Sequence, residues 1–395
     1  MDQAKQPVIS IRSWASLSAL GSSDAEVLAS YQSTESSLTP WSVPHHHQMV
    51  ETWAGRLTPQ GQQQCADLQA TRPDYASLDP SVWYALIAAR RAFHQSGWDQ
   101  QMPVGINIGS SRGATQTWES AHADFVQGGR IPVLTSPLTT LGNLSTWVAQ
   151  DLGVQGPEFS HSITCSTSLH ALLNAVAWMR AGMVSRFLVG GSEAALTPFT
   201  WAQMKALKLV SSLNDPYPCR ALDPLKKANT MVLGEGAAAL CLEVGIRPGA
   251  QAVVLGVGYA TEALAHAISI SDEADCFVRS MHMALGVHDP SQIDAVVMHA
   301  PGTVKGDRAE NAAIDAVFGA RAPWRTSHKW RTGHTFGASG ALGLECALLM
   351  LKHQHLPGIP YLNQPVWQPA SVRRVMVNAV GFGGNAVSVL LGLPE

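Results

Sequence analysis

The sequence predicts an α/β protein of stacked sheets and helices, built from two similar halves. Three observations carry this. Short β-like runs alternate with helical patterns along the chain. Several of those runs are apolar almost throughout, as a sheet covered on both faces requires. Two pairs of segments also echo each other. ITCSTSLHALLNAVAWMRAG resembles RTGHTFGASGALGLECALLMLKH, and LGEGAAALCLE resembles GFGGNAVSVLLG.

The strand candidates, in order, are ISIRSWA, VGINIGS, FSHSITC, RFLVGGS, AAALCLEV, AVVLGVGYA, DAVVMHA, RRVMVNAVGF and AVSVLLGL. Helices are expected at Ser168–Ala181, Arg308–Val317 and Ala341–His353. The nearest thing to a seam is GIRPGAQ, Gly245 to Gln251, a Pro/Gly turn between two strand candidates. It divides the chain into halves at 1–247 and 248–395.

Composition narrows the function. Apolar residues make up 46 % and charged residues 14 % of the 395, against a usual charged share of about 25 %. Such a chain can bury a large core and a subunit interface. The formal charge of −3 and the absence of a basic stripe argue against nucleic acid as a partner. MDQAKQPVIS has no apolar leader, and the apolar pattern at Ala341–Leu351 is broken by Glu345 and too short for a bilayer. The expectation is a cytoplasmic protein with no membrane partner. Six scattered cysteines without a CxxC argue against a zinc site or a disulfide scaffold. The run His45–His47 lacks the i, i+4 spacing of a ligand pair and reads as a loop.

Four segments carry candidate chemistry. Cys165 sits where a strand candidate hands over to a helix. Unpaired N–H groups and the helix dipole favour an anion there, which predicts a lowered thiol pKa. In HAPGTVKGDRAE, His299 ends an apolar run, and Asp307 and Glu310 share a helix face. In HKWRTGHTFGASGALG, His334 lies among small residues, five after Lys329. VGFGGNA is a turn whose backbone can approach a ligand closely.

Taken together, these segments resemble the β-ketoacyl synthases, condensing enzymes of the thiolase fold, over nearly the whole chain. The family's Cys-Ser/Ala-Thr/Ser is here Cys165-Ser166-Thr167. Its HGTGT followed by Asp and Glu is matched by His299, Asp307 and Glu310, at offsets of eight and eleven. Its Lys-x-x-x-Gly-His is matched by Lys329 and His334, and its GFGG by Gly381–Gly384. CRALDP…VLGEGAAALCLE, with Arg220, Asp223 and Glu235, adds a further match.

The resemblance implies a five-layered αβαβα fold and decarboxylative condensation with malonyl-acyl-carrier protein. Cys165 would take an acyl group from a phosphopantetheine thioester. His299 and His334 would stabilise the malonyl-derived enolate, so acyl loading would survive loss of His334 better than condensation would. The N–H groups of Cys165 and Phe382 would form the oxyanion hole, with Phe382 gating entry. Lys329 would pair with Asp307 or Glu310, and Glu235 would support the site. Thr303, Arg112, Gly383 and Gly384 would contact substrate. No cofactor is expected to be bound permanently. The expected partners are acyl carrier protein and a second copy or a homologous ketosynthase-like subunit.

Departures from the pattern are informative. Pro301 replaces the first threonine of HGTGT, a pantetheine contact in the family. The Arg-Asp-Gly-Phe before GEG is missing, and the run from Asp223 to Glu235 is two residues longer. Gly343 stands where a glutamate often follows the second histidine, and Glu345 lies two later. Arg112 occupies an aliphatic gate position, where it either turns inward or pairs outward with Glu119. If inward, it disfavours long saturated chains and points to a specialised synthase, with aryl-polyene or related polyketide clusters as the nearest resemblance. Two other readings are a non-catalytic chain-length-factor subunit and a cysteine-dependent acyl hydrolase. The first usually lacks the cysteine; the second leaves one histidine and the Gly-rich turn unexplained.

Overall fold

The computed structural model describes residues 6–141, 143–263, 271–319, 321–363 and 369–394. The start of MDQAKQPVIS, read above for a leader, lies outside them. The strands are β1 (Ile9–Leu17), β2 (Thr39–His45), β3 (Gln48–Gly55), β4 (Gly105–Gly109), β5 (Arg186–Glu193), β6 (Leu233–Gly234), β7 (Gly236–Val244), β8 (Ala252–Thr261), β9 (Ala295–Val297), β10 (Trp324–Thr326), β11 (Arg374–Gly381) and β12 (Asn385–Gly392).

Nine of them form one hydrogen-bonded sheet in the order β10-β9-β11-β12-β8-β1-β7-β5-β4. Its two halves, β4-β5-β7-β1 and β8-β12-β11-β9-β10, are stitched only by Ser10↔Val253 and Ile11↔Ala252. Helices Thr167–Arg180 and Ser339–His353 fill the space between the halves, in a core drawing residues from both. Helix Ser339–His353 is buried from Ser339 through Leu351, as a middle layer with no solvent face must be. A second core packs helix Pro80–Ser96 on the outer face of the first half, and a third packs helices Asp275–Leu285 and Val304–Phe318 on the second. Helix, sheet, helix, sheet, helix gives five layers.

Local signals set the element ends. Pro80 opens its helix under an Asp79 cap that accepts from Ser81 N, and Gly97 closes it in the left-handed region. The echo between halves has a structural counterpart. The two middle-layer helices follow the Cys165 and His334 segments, and β7 and β12 each follow a Gly-rich turn.

One strand expectation fails. FSHSITC forms no strand: Glu158 just before it bridges Ile106, and within it there is only the isolated bridge Ile163↔Cys165. It starts beside β4 and then leaves the sheet to carry Cys165 inward. His45–His47 form the β2–β3 turn, with His46 at φ 54° and His45 edge-on to Trp201 at 5.3 Å. Among the described residues, no group of three or more His, Cys, Asp or Glu is arranged to hold a metal. No described helix is long and apolar enough to cross a membrane.

Candidate active site

Cys165 lies one residue before the Ser166 cap of helix Thr167–Arg180. The preceding Thr164 has φ 47°, a strained conformation for a β-branched residue. The strain is held from both sides. Thr167 N and Oγ1 both donate to Thr164 O, at 3.3 and 2.6 Å. Opposite, Gly381 packs so closely that an added Cβ would lie 1.8 Å from Thr164 Oγ1. Only glycine lets the Gly-rich turn approach the nucleophile loop this far. The turn itself bends through Gly383 (φ 93°) and Gly384 (φ 66°).

Cys165 Sγ is 3.1 Å from His334 Nε2, and the His299 ring stands perpendicular to that of His334 with centroids 5.4 Å apart. His334 is fixed by its backbone: its N–H donates to Val232 O at 2.7 Å and its carbonyl accepts from Gly234 N at 3.0 Å. His299 follows β9. Its N–H and that of Ala300 donate to the two oxygens of Glu310, each at 2.9 Å, and Lys329 Nζ donates to its carbonyl oxygen. Burial, with the nearby Lys329 charge, holds both histidines well below their usual pKa. Both are therefore neutral imidazoles at pH 7, able to accept or donate a proton according to tautomer.

A cavity of about 260 Å³ opens onto Cys165, His299 and His334. Its polar wall includes Thr303, Asn229 and Lys305, and Phe382 stands at its edge with 37 % exposure. Met204 and Phe336 line the same cavity, and with Trp201 they share the apolar cluster around Cys165.

Several expectations are corrected. The Cys165 thiol is not lowered. Desolvation dominates and pushes it up to about 12, against the partial pull of Lys329 and Arg112. The proton therefore needs a base, and His334 Nε2 is in contact.

Lys329 forms no ion pair within 4 Å among the described residues. Asp307 instead pairs with Lys226 at 2.7 Å, both side chains buried, and accepts from Leu222 N and Gly302 N. Glu310 is the strongest nearby charge raising the Lys329 pKa, yet desolvation outweighs it and lowers Lys329 to about 8. Glu345 is no substitute counter-charge. It faces Ser16, Arg91 and Asp24, while the space beside Gly343 is taken by Val377 and Val297, with His328 beyond them.

Glu235 supports the site only indirectly. It accepts from Leu57 N and Tyr84 Oη, each at 3.1 Å, next to the Gly234 that holds His334. Gly384 lines the cavity and Gly383 does not. Arg112 does not meet Glu119, which accepts from Thr197 Oγ1 at 2.7 Å. It turns instead to helix Pro198–Ala206, donating to Gln203 Oε1, with its guanidinium carbon 5.8 Å from the Phe336 ring centroid, and it does not itself line the cavity.

Three residues escaped the sequence reading. Buried Glu193 accepts from Ser110 Oγ (2.8 Å), Ser111 N (2.8 Å), Arg112 N (3.1 Å) and Gly337 N (2.9 Å). It ties the Arg112 loop to the turn after His334. The signal was a charge closing the buried run RFLVGGSE. Lys226 and Asn229 lie in the lengthened loop. Asn229 Oδ1 accepts from Val304 N at 2.9 Å, and Thr230 N and Oγ1 both donate to Gly302 O. That loop, not a threonine in place of Pro301, braces the turn after His299.

Models of the β-ketoacyl synthase N-terminal and C-terminal domains match residues 22–245 and 251–363. A putative polyketide β-ketoacyl synthase 1 from Streptomyces halstedii is 30 % identical, covering 80 % of this chain and 82 % of its own. The 3-oxoacyl-[acyl-carrier-protein] synthase 2 of Vibrio cholerae is 28 % identical, covering 81 % and 84 %. The solved ishigamide ketosynthase/chain length factor superposes with a TM-score of 0.85 at 22 % identity, covering 99 % of this chain and all of that one. The chain belongs to the β-ketoacyl synthase family of condensing acyltransferases.

Proposed function

We propose that this protein condenses an acyl group held on Cys165 with malonyl-acyl-carrier protein, in a polyketide or fatty-acid-like pathway. The observation that carries the reading is the contact of Cys165 Sγ with His334 Nε2, beside His299, at the end of one cavity.

In the first half-reaction the thiol proton moves to His334 Nε2 as Sγ attacks the acyl thioester carbon. The N–H groups of Cys165 and Phe382 take the oxyanion. The carbon–sulfur bond to phosphopantetheine breaks, and the leaving thiolate takes the proton. In the second, the bond from the malonyl carbon to its carboxylate breaks and carbon dioxide leaves. The electron pair forms an enolate whose oxygen receives N–H donation from His299 and His334. The enolate carbon attacks the acyl carbon, and Cys165 leaves as thiolate and takes from solvent the one proton that the condensation consumes. Losing one such donor costs about 3–4 kcal/mol of transition-state stabilisation. Lys329 and Glu310 act through the His299 backbone as positioning residues. Thr303 and Gly384 contact the pantetheine arm, and Phe382 gates the cavity.

The Vibrio relative is named for an acyl carrier protein and the solved neighbour for a chain length factor. On that basis the partners are acyl carrier protein and a second ketosynthase-type subunit, identical or homologous. The work is done in the cytoplasm without a resident cofactor, by halves dividing at 247/248. Arg112 lies beside Phe336, which lines the cavity; a saturated chain long enough to reach it would strip water from its guanidinium and is disfavoured. That favours a specialised pathway such as aryl-polyene synthesis. The non-catalytic reading has no feature in its favour in a chain that keeps all three reactive side chains together.

The test is intact-mass spectrometry after incubation with a panel of acyl-carrier proteins. A single acyl adduct is expected on the wild type and none on Cys165→Ala. An adduct persisting on Cys165→Ala refutes the assignment.

A further inference from the structure

Arg331 lies between Lys329 and His334 in the sequence and is buried, with 2 % exposure. Among the described residues it forms no ion pair within 4 Å. Burial lowers its pKa to about 10, so it keeps its charge at neutral pH. Its Nη1 and Nη2 donate instead to the carbonyl oxygens of Ser30 and Ser33, at the end of helix Asp24–Gln32. A helix ends in unpaired carbonyls and at the negative pole of its dipole. The last turn of this helix has no basic residue of its own, and Arg331 supplies both the donors and the charge.

The chain after that helix is tied to the same place. Ser36 Oγ donates to Trp330 O at 3.2 Å. Tyr217, its ring 5.9 Å from that of Trp330, donates from Oη to Thr34 O at 3.1 Å.

Lys329–Thr332 is a single helical turn of four residues, too short to hold its shape alone. Lys329 and Arg331 are two residues apart on it, which puts their side chains on nearly opposite sides. Lys329 reaches the carbonyl oxygen of His299, and Arg331 reaches helix Asp24–Gln32. The turn is thus pinned from both sides. His334 has separate backbone anchors at Val232 O and Gly234 N. His299 is held by Glu310 on its N–H and by Lys329 on its carbonyl.

We propose that Arg331 is a positioning residue for the enolate step: by gripping the end of helix Asp24–Gln32 it fixes the turn from which Lys329 holds His299. Arg331 does not line the cavity, so it acts through His299 and not on substrate. The proposal rests on the condensing role of Cys165, His299 and His334.

The test compares single-turnover loading of Cys165, read by rapid-quench intact mass, with carbon dioxide release from malonyl-carrier protein. Arg331→Met should release carbon dioxide ~10–100-fold more slowly, as a small misplacement of a catalytic group allows. Its KM for malonyl-carrier protein and its loading rate should stay close to those of the wild type. Arg331→Lys should recover part of the loss, since an ammonium keeps the charge but not the two-pronged fork. Phe93→Leu, in the core around helix Pro80–Ser96, controls for lowered stability alone and should leave the ratio of the two rates unchanged. An unchanged ratio in Arg331→Met, or both rates falling together, overturns the proposal. If Arg331→Met does not fold, Arg331→Lys decides alone, and a wild-type ratio there overturns it too. No adduct on the wild type from any carrier removes the condensing role instead, and this role of Arg331 with it.

Discussion

Removing His334 should stop acyl loading and not only condensation. The perturbation is His334→Ala, with His299→Ala beside it. The Cys165 thiol is pushed up to about 12 by burial. At neutral pH such a thiol is ionised to only ~10⁻⁴ to 10⁻⁵, and the thiolate is the nucleophile. Attack must therefore be coupled to proton removal. His334 Nε2, 3.1 Å from Sγ, is the imidazole hydrogen-bonded to the thiol; the His299 ring stands edge-on to that of His334.

General-base assistance is worth ~10²–10⁴ in rate, or about 3–5 kcal/mol. His334→Ala should lose that much in the rate of single-turnover loading. His299→Ala should load nearly as the wild type does, yet release little carbon dioxide from malonyl-carrier protein. The assay is rapid-quench intact mass for loading, with labelled carbon dioxide release as the second readout. Near-wild-type loading by His334→Ala would refute this reasoning and restore the expectation that both histidines serve only the enolate.

Three more predictions follow from buried polar groups. Glu193→Gln presents an amide NH₂ to one of two donor pairs, Ser111 N with Gly337 N or Ser110 Oγ with Arg112 N. Two orphaned buried donors cost about 2–6 kcal/mol, at ~1–3 each, partly offset by removing a buried charge; an unchanged urea midpoint would contradict this. Lys226→Met strands buried Asp307 without its cation and should cost about 3–5 kcal/mol. Adding Asp307→Asn should recover part of the loss, and a double mutant no better than the single would count against the pairing. Lys329 has its folded-state pKa lowered from 10.5 to about 8, so between those values the unfolded chain binds a proton that the folded chain does not. Stability from this group therefore rises with pH across that window. The urea-midpoint difference between the wild type and Lys329→Met should move in favour of the wild type from pH 7.5 to 9.5. A constant difference would mean that Lys329 titrates normally.

What the sequence determined by itself was the kind of parts and their order. Apolar runs long enough to be covered on both faces became β5, β7, β11 and β12, because burial on two sides needs only composition, which is local. The three-residue offset of Asp307 and Glu310 put both on the buried face of one helix, because helical geometry is local too. The partners those carboxylates take were decided elsewhere. Asp307 turned to Lys226, 81 positions away, and Glu310 to two backbone N–H groups after β9. The first outcome depends on how the lengthened loop folds back and the second on how β9 lies against that helix, which no spacing encodes. FSHSITC looked like a strand by composition, but strand formation needs a neighbour, and the chain leaves the edge of β4 after His161. The helix-start position of Cys165 was legible and its pKa was not. The helix dipole is a property of the segment, whereas desolvation is imposed by Trp201, Met204, Phe336 and the rest of an apolar shell drawn from distant parts of the chain. Likewise, the choice of Arg112 between Glu119 and helix Pro198–Ala206 was settled by Gln203 and by Glu193 holding its loop. Charge pairing and burial are long-range and many-bodied, so only the packed tertiary structure could assign them.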